Sequence, residues 1–295
     1  MGNVLRETNL SDIGTLRRGK VRDIYDLGES LLIIATDRLS AFDVVLPTGI
    51  PDKGKILTKL SVFWFRQMEG IVPNHLLEVD VDRFPNSLRK YEEILRDRSM
   101  LVKKAGLIPA ECVVRGYLSG SGWKDYQETG AICGIQLPAG LSESAKLAKP
   151  IFTPTTKAEE GHDMSVTFEE LEHAIGADLA RKLRELSISI YEKGCRIAEE
   201  RGIIIADTKF EFGMFNNDVI VIDEMLTPDS SRFWSKNGYV PGKSQESYDK
   251  QIVRDYLNTL DWDKTYPGPE LPQAIVDKTR AQYGEILKII TGQSL

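Results

Sequence analysis

Asp207-Thr208-Lys209-Phe210-Glu211-Phe212-Gly213 alternates charged and uncharged residues from Asp207 to Phe212, with Phe210 and Phe212 bulky and apolar. Side chains two apart on an extended strand share a face, so Asp207, Lys209 and Glu211 point one way and Thr208, Phe210 and Phe212 the other. One face packs and the other carries charge. Asn216-Asn217-Asp218 follows, then the apolar run Val219 to Ile222 and the pair Asp223-Glu224, which together predict a β-hairpin. A three-residue loop, Asn216 to Asp218, sets Glu211 opposite Asp223. A two-residue loop sets Asp223 opposite Phe210, because a one-residue slip exchanges faces.

Upstream of this hairpin the pattern is helical. Thr167 with Glu170 forms a capping-box signature, so a helix is expected from about Phe168. Leu179, Leu183, Leu186, Ile190 and Ile197 then mark a stripe, with Gly176 separating a short helix from a longer one and Gly202 offering a C-cap. Two more helical regions are expected at about Glu246 to Thr259 and Pro272 to Thr291. The first hundred residues read mainly as strands, including Lys20 to Asp26 and Leu31 to Ala35, with helix-compatible spacing at Ile56 to Met68. Strand character returns over Met100 to Leu118 around a turn at Gly106 and Pro109. Gln136 to Met164, rich in Pro, Ser, Thr, Lys and Glu, reads as a long functional loop. Strands first and mixed elements afterwards favour an α+β fold over a doubly wound parallel sheet, with a ligand cleft between two lobes.

Composition narrows the function. The 295 residues carry a formal charge of -6, which argues against sequence-independent binding of nucleic acid. Any anionic ligand must therefore meet a local basic cluster. Cys112, Cys133 and Cys195 are widely spaced, without a C-x-x-C pair, and read as buried reduced thiols. Met1 to Leu10 lacks the apolar run of a secretory signal and no stretch is long enough for a membrane span, so a cytoplasmic protein is expected.

Four groups of residues look chemical. Glu211 and Asp223 offer hard oxygen ligands suited to Mg²⁺ shared with nucleotide phosphates, with Lys209 beside them. A solvated hairpin face competes with that reading, and the adjoining Asp223-Glu224 pair favours the metal. Glu111 to Leu118 delivers Arg115 to the Gly/Ser-rich turn Ser119-Gly120-Ser121-Gly122, whose backbone N–H groups could cradle an anion. Arg18 to Asp26 places Lys20 and Arg22 on one strand face after Gly19. Asp229-Ser230-Ser231-Arg232 puts Arg232 on a loop leaving the hairpin.

In this order, Gly19 to Arg22, Ala35 to Asp43, Glu111 to Arg115, Ser119 to Gly122, Asp207 to Gly213, Asp223-Glu224 and Asp229 to Arg232 resemble the phosphoribosylaminoimidazole-succinocarboxamide synthase family. The similarity runs over roughly 17 to 260. The Asp37 to Asp43 segment, the Pro150 to Asp163 loop and an extra C-terminal region match its longer, eukaryote-like form. The resemblance implies a β-rich, kinase-like N-terminal lobe (1–112) that binds nucleotide and an ATP-grasp-related C-terminal lobe (113–295) with the metal and substrate sites. It implies ATP and Mg²⁺ as cofactors. It implies as small-molecule substrates a phosphoribosyl imidazole carboxylate and L-aspartate, joined in purine biosynthesis.

Residue by residue, the resemblance gives Glu211 and Asp223 to Mg²⁺, and Gly19, Lys20 and Arg22 to phosphates. Lys103, Glu111 and Val113 would line the adenine pocket. Arg115, Ser119, Ser121 and Arg232 would hold the ribose 5-phosphate, and Lys157, His162 and Asp163 would close over a substrate. Lys209 and Asp229 would be catalytic. A kinase-like phosphotransferase is disfavoured by the absence of H-R-D and D-F-G sets. A nucleotide-binding module without turnover is the other alternative, and neither reading fixes the oligomeric state.

Overall fold

The computed structural model describes residues 4–156 and 164–295; Lys157, His162 and Asp163 lie outside them. The chain opens with β1 (Thr15–Arg18), β2 (Arg22–Asp26), β3 (Ser30–Ala35), and the short pair β4 (Ser40–Ala41) and β5 (Val44–Val45). Then come α1 (Lys53–Gln67), β6 (Leu76–Glu78), two single-turn helices α2 (Asn86–Arg89) and α3 (Glu92–Leu95), and β7 (Ser99–Lys103). These strands form an antiparallel sheet in the order β1-β2-β3-β7-β6.

The second part begins with β8 (Gly106–Tyr117) and α4 (Gly120–Thr129), followed by β9 (Ala131–Ile132), β10 (Ile135–Gln136), β11 (Lys146–Phe152) and β12 (Thr155–Thr156). It continues through α5 (Phe168–Ile175), α6 (Ala177–Glu199), β13 (Ile203–Phe215), β14 (Asp218–Ile222), β15 (Ser231–Ser235), α7 (Gln251–Asn258) and α8 (Gln273–Thr291). Its sheet runs β11-β8-β13-β14, with β12 also on β8 and β15 also on β13. Two large antiparallel sheets with helices packed on them, beside the two-stranded pairs β4–β5 and β9–β10, make the fold α+β. No helix among the described residues is long and apolar enough to cross a membrane.

The expected capping box is present: Thr167 Oγ1 accepts from the Glu170 amide, and the Glu170 carboxylate accepts from the Thr167 amide. Gly176 separates α5 from α6. Gly202 takes a positive φ of 76° two residues after the C-cap, Glu200, so it makes the turn rather than the cap. Several expectations are corrected. Pro109 lies inside β8, where the register with β13 shifts between Glu211 and Gly213; such a bulge tolerates a residue without an N–H. The stretch 136–164 holds β11 and β12, paired with β8. The helix expected from Glu246 starts at Gln251. The boundary drawn after Cys112 falls within β8, and the change from one sheet to the other occurs at Lys104–Ala105. All three cysteines are free thiols, Cys112 buried and the other two half-buried.

The two sheets are stitched together by residues 73–75. His75 N donates to Val221 O at 3.1 Å, Val221 N to Pro73 O at 2.9 Å, and Lys103 N to His75 O at 2.7 Å. The His75 ring is only 2% exposed, packs edge-on against Phe65, and its Nε2 has no hydrogen-bond partner among the described residues. Burial pushes its pKa down to about 4, with the charges of Arg22 and Lys103 acting the same way and Asp223 opposing them.

A depressed folded pKa means that the unfolded chain, near pKa 6.5, binds a proton the folded protein refuses. Stability contributed by neutral His75 is therefore complete above pH 6.5 and is lost as pH falls towards 4. Relative to pH 7, the loss at pH 5 is about 2 kcal/mol. Urea titrations of wild type and His75→Gln at both pH values check this: the variant should lose about that much less on acidification, and equal losses would clear His75 of the effect.

Candidate active site

β13 is paired with β8 along one edge, in a register that sets Asp207 opposite Arg115, Lys209 opposite Val113 and Glu211 opposite Glu111. Along its other edge it changes partner. Ile203 to Thr208 face β15, and Glu211 to Phe215 face β14. Lys209 sits in the gap, its amide donating at 2.9 Å to Ser230 O of the loop that links β14 to β15. That loop carries Asp223, Glu224 and Asp229. The gap is thus where side chains from three strands and a loop converge.

The opposite face of β13 explains why it stays put. Thr208, Phe210 and Phe212 are buried with Cys112 and Val114 of β8, above α6, whose Tyr191 hydroxyl donates to Ile205 O at 2.6 Å. The charged face can therefore be built on a rigid strand.

The hairpin loop has two residues, Asn216 and Asn217, at φ 50° and 66°, and Phe215 pairs with Asp218. Positive φ at both central positions is what a tight two-residue hairpin turn requires, and asparagine tolerates it. Glu211 consequently faces Ile222 on one side and Glu111 on the other. Strict alternation would then turn Asp223 away from Glu211. Asp223 escapes that by adopting φ 67°, which ends the strand and breaks the alternation. Its charge acts on Lys209 together with those of Glu111 and Glu211.

Lys209 Nζ pairs with Glu111 Oε1 and lies 3.6 Å from Glu211 Oε1. Burial opposes its charge, but Glu111 and Glu211 outweigh that and raise its pKa. Thr155 Oγ1 donates at 3.2 Å to the second Glu111 oxygen. Arg22, from the first sheet, pairs with Asp223 and lies 2.7 Å from Glu224 Oε1. Burial again opposes the charge, and Asp223 and Glu224 overcome it. Arg22 thus clamps the first sheet to the carboxylate loop. Lys20 does not share its strand: it sits in the turn before β2 and pairs with Asp43.

Four residues along the strand, a second cluster forms. Asp207 Oδ2 accepts from Arg115 Nη1 at 3.0 Å and from Arg232 Nη1. Arg115 continues to Thr153 Oγ1 through Nε and to Ser121 Oγ through Nη2, each at 3.1 Å. Arg232 lies on β15, not on the expected loop. Ser119-Gly120-Ser121-Gly122 is not a free turn either: Ser119 is the N-cap of α4, so its amides belong to a helix N-terminus, a site suited to anions. A Cβ at Gly120 would overlap the Arg232 guanidinium, and Ser119 Oγ is buried without a partner among the described residues.

The Asp229 carboxylate is nearly inaccessible to solvent, its side chain being 3% exposed. It takes Lys53 Nζ at 2.6 Å and the Tyr283 hydroxyl at 3.0 Å, with Lys250 Nζ at 3.6 Å. Burial alone would raise its pKa; Lys250 and Lys53 prevail and hold it well below the carboxylate range. Lys53, Lys250 and Tyr283 come from α1, the N-cap of α7 and α8, and no local motif marks them.

Of the remaining expected site residues, Lys103 donates to Asn74 O at 3.0 Å and lies over the Phe215 ring. Val113 is interior to the sheet, its carbonyl accepting from Thr153 N at 2.8 Å. Gly19 donates to Arg22 O at 2.8 Å. Glu224, Asp207 and His75 were not singled out individually as site residues. Glu224 and Asp207 stand within recognisable segments, whereas nothing near His75 advertises it.

Among the described residues, no three His, Cys, Asp or Glu side chains form a ready-made metal cage. The carboxylates around Lys209 nevertheless suit Mg²⁺, which takes one or two carboxylates and completes its shell with phosphate and water.

The family model described as SAICAR synthetase matches residues 15–269. A phosphoribosylaminoimidazole-succinocarboxamide synthase of Thermodesulfovibrio yellowstonii is 62% identical over 291 residues, 99% of this chain and 100% of its own. One from Geotalea uraniireducens is 58% identical, with 99% of each chain covered. The structure of SAICAR-synthase from Saccharomyces cerevisiae complexed with SAICAR superposes with a TM-score of 0.90 at 46% identity, over 99% of both chains. With so close a match from end to end, the chain belongs to the SAICAR synthetase family.

Proposed function

We infer that the chain joins L-aspartate to 5-amino-1-(5-phosphoribosyl)imidazole-4-carboxylate in an ATP-dependent ligation, yielding the succinocarboxamide, ADP and phosphate. The observation that carries the reading is one rigid strand face with a carboxylate-and-lysine cluster at one end and an arginine pair beside a helix N-terminus at the other. Asp207 and Glu211 are four residues apart, roughly 13 Å along a strand. That span suits a phosphoribosyl imidazole lying along β13, its phosphate on the arginines and its carboxylate near Lys209.

A carboxylate resists attack by an amine. Transfer of the γ-phosphoryl group to a carboxylate oxygen makes an acyl phosphate, from which phosphate leaves when the aspartate amine attacks the carbonyl carbon. The protein's task is positioning and charge neutralisation. Lys209, kept cationic by Glu111 and Glu211, offers a fixed positive charge to the oxygens that carry charge during transfer. Glu211 and Asp223 hold Mg²⁺, which when bound neutralises phosphate charge.

Arg115, Arg232, Ser119 and Ser121 hold the 5-phosphate; the unpartnered Ser119 hydroxyl supports this. Gly19, Lys20 and Arg22 face the ATP phosphates, and Lys103 with Glu111 borders the adenine site. Asp229 anchors the loop that presents Asp223, and the two lobes close on the nucleotide from either side. The cytoplasm is the compartment in which ATP and these substrates meet.

A coupled ADP assay tests the function: release is expected only when the imidazole carboxylate and aspartate are both supplied, and release without aspartate would point to a kinase instead. Glu211→Gln and Asp223→Asn should each cut turnover by about a hundredfold or more while melting temperature stays within a few degrees. Normal turnover with normal Mg²⁺ dependence would remove them from the metal site. Arg115→Ala should raise KM for the phosphorylated imidazole by about ten- to a hundredfold, the worth of a charge-assisted hydrogen bond. KM for ATP should change far less, and the reverse ranking would overturn the assignment.

A further inference from the structure

Arg38 is buried, and its guanidinium spends its donors on the turn that joins β1 to β2. Nε donates to Lys20 O and Nη2 to Gly19 O, both at 3.0 Å, while Nη1 donates to Arg6 O. Nη2 also reaches Asp23 Oδ1 at 2.8 Å, and fully buried Asp23 is itself held by the Thr8 amide at 2.7 Å and hydroxyl at 2.8 Å. The next carbonyl along, Val21 O, accepts from the Thr36 amide at 3.1 Å and the Thr36 hydroxyl at 2.8 Å. Three successive carbonyls of an exposed turn are therefore drawn inward by two residues of one segment.

A trans peptide sets the N–H of each residue antiparallel to the preceding C=O. Once Arg38 has drawn in the carbonyls of Gly19 and Lys20, the amides of Lys20 and Val21 must point the other way. Neither amide donates to any described residue. Two adjacent outward N–H groups make an anion-binding nest. We propose that Arg38, assisted by Thr36, is the positioning residue that aims the Lys20 and Val21 amides at the phosphates of ATP. The proposal rests on the reading of this turn as the phosphate-facing loop.

Arginine suits the task because its planar fork spans two carbonyls and a carboxylate at once; a lysine offers one point charge. The same segment handles the Lys20 side chain, through Asp43. Backbone and ammonium of Lys20 are thus governed together from residues 36–43.

The test is nucleotide affinity by calorimetry for Arg38→Lys and Thr36→Val, with ADP, a non-hydrolysable ATP analogue and adenosine as probes. Arg38→Lys keeps a cation for Asp23 and should weaken ADP and the analogue about tenfold or more, leaving adenosine within about twofold. Thr36→Val, isosteric and milder, should show the same phosphate-selective loss at smaller size, and it carries the test if Arg38→Lys does not fold. Equal losses for adenosine and ADP, or unchanged ADP affinity in the folded variants, would overturn the proposal. Hydrogen exchange of the wild type separates the two levels: protection of the Lys20 and Val21 amides by ADP supports the phosphate-loop reading, and no protection defeats that reading itself.

Discussion

The architecture depends on β13 exchanging partners halfway along one edge. A strand fully paired on both edges leaves no gap in the sheet through which a loop can reach its backbone. By pairing with β15 up to Thr208 and with β14 from Glu211, β13 opens a gap at Lys209 into which the 223–230 loop delivers its carboxylates. The other edge stays continuous with β8 from Asp207 to Glu211, and the apolar face is packed on α6. The gap is thus local, and the strand that carries the functional groups remains rigid.

Charge burial has to be balanced at such a place. Isolated ions in a protein interior cost several kcal/mol each, so every buried charge here is tied to an opposite one. Asp207 stands between two guanidiniums, Lys209 between two carboxylates, and Arg22 between Asp223 and Glu224. These pairings also fix direction. Arg115 must keep one nitrogen on Asp207, which leaves Nε and Nη2 for Thr153 and Ser121 at the start of α4.

Much of this was legible in the sequence. The alternation of Asp207 to Gly213 gave the correct faces, because one face is uncharged and dominated by two phenylalanines, and the capping box gave the start of α5, because its hydrogen bonds are local. The hairpin register stayed open: loop length is decided by whether two asparagines accept positive φ, and composition does not rank two residues against three. The facing of Glu211 and Glu111 was hidden for a different reason. It is a pairing between strands about a hundred residues apart, and period-2 reasoning fixes faces but not partners. β11 and α4 were missed because short elements pinned by tertiary pairing carry weak periodicity of their own.

Asp229 shows how a residue in a recognisable segment can matter through what it holds. Its partners arrive from α1, the N-cap of α7 and α8, elements separated by up to 230 residues, and they cover its carboxylate. An aspartate so enclosed cannot readily reach a substrate, yet it determines where the 223–230 loop ends. The loop is then held at three points: Arg22 grips Asp223 and Glu224, Lys209 binds Ser230 through its amide, and Lys53 binds Asp229. Removing Asp229 from its buried pair with Lys53 costs about 3–5 kcal/mol, because the lysine charge is stranded. The left-handed backbone at Asp223 is a strained conformation that the surroundings must enforce. The helices that look remote from the chemistry are, on this argument, what keeps that carboxylate beside Lys209.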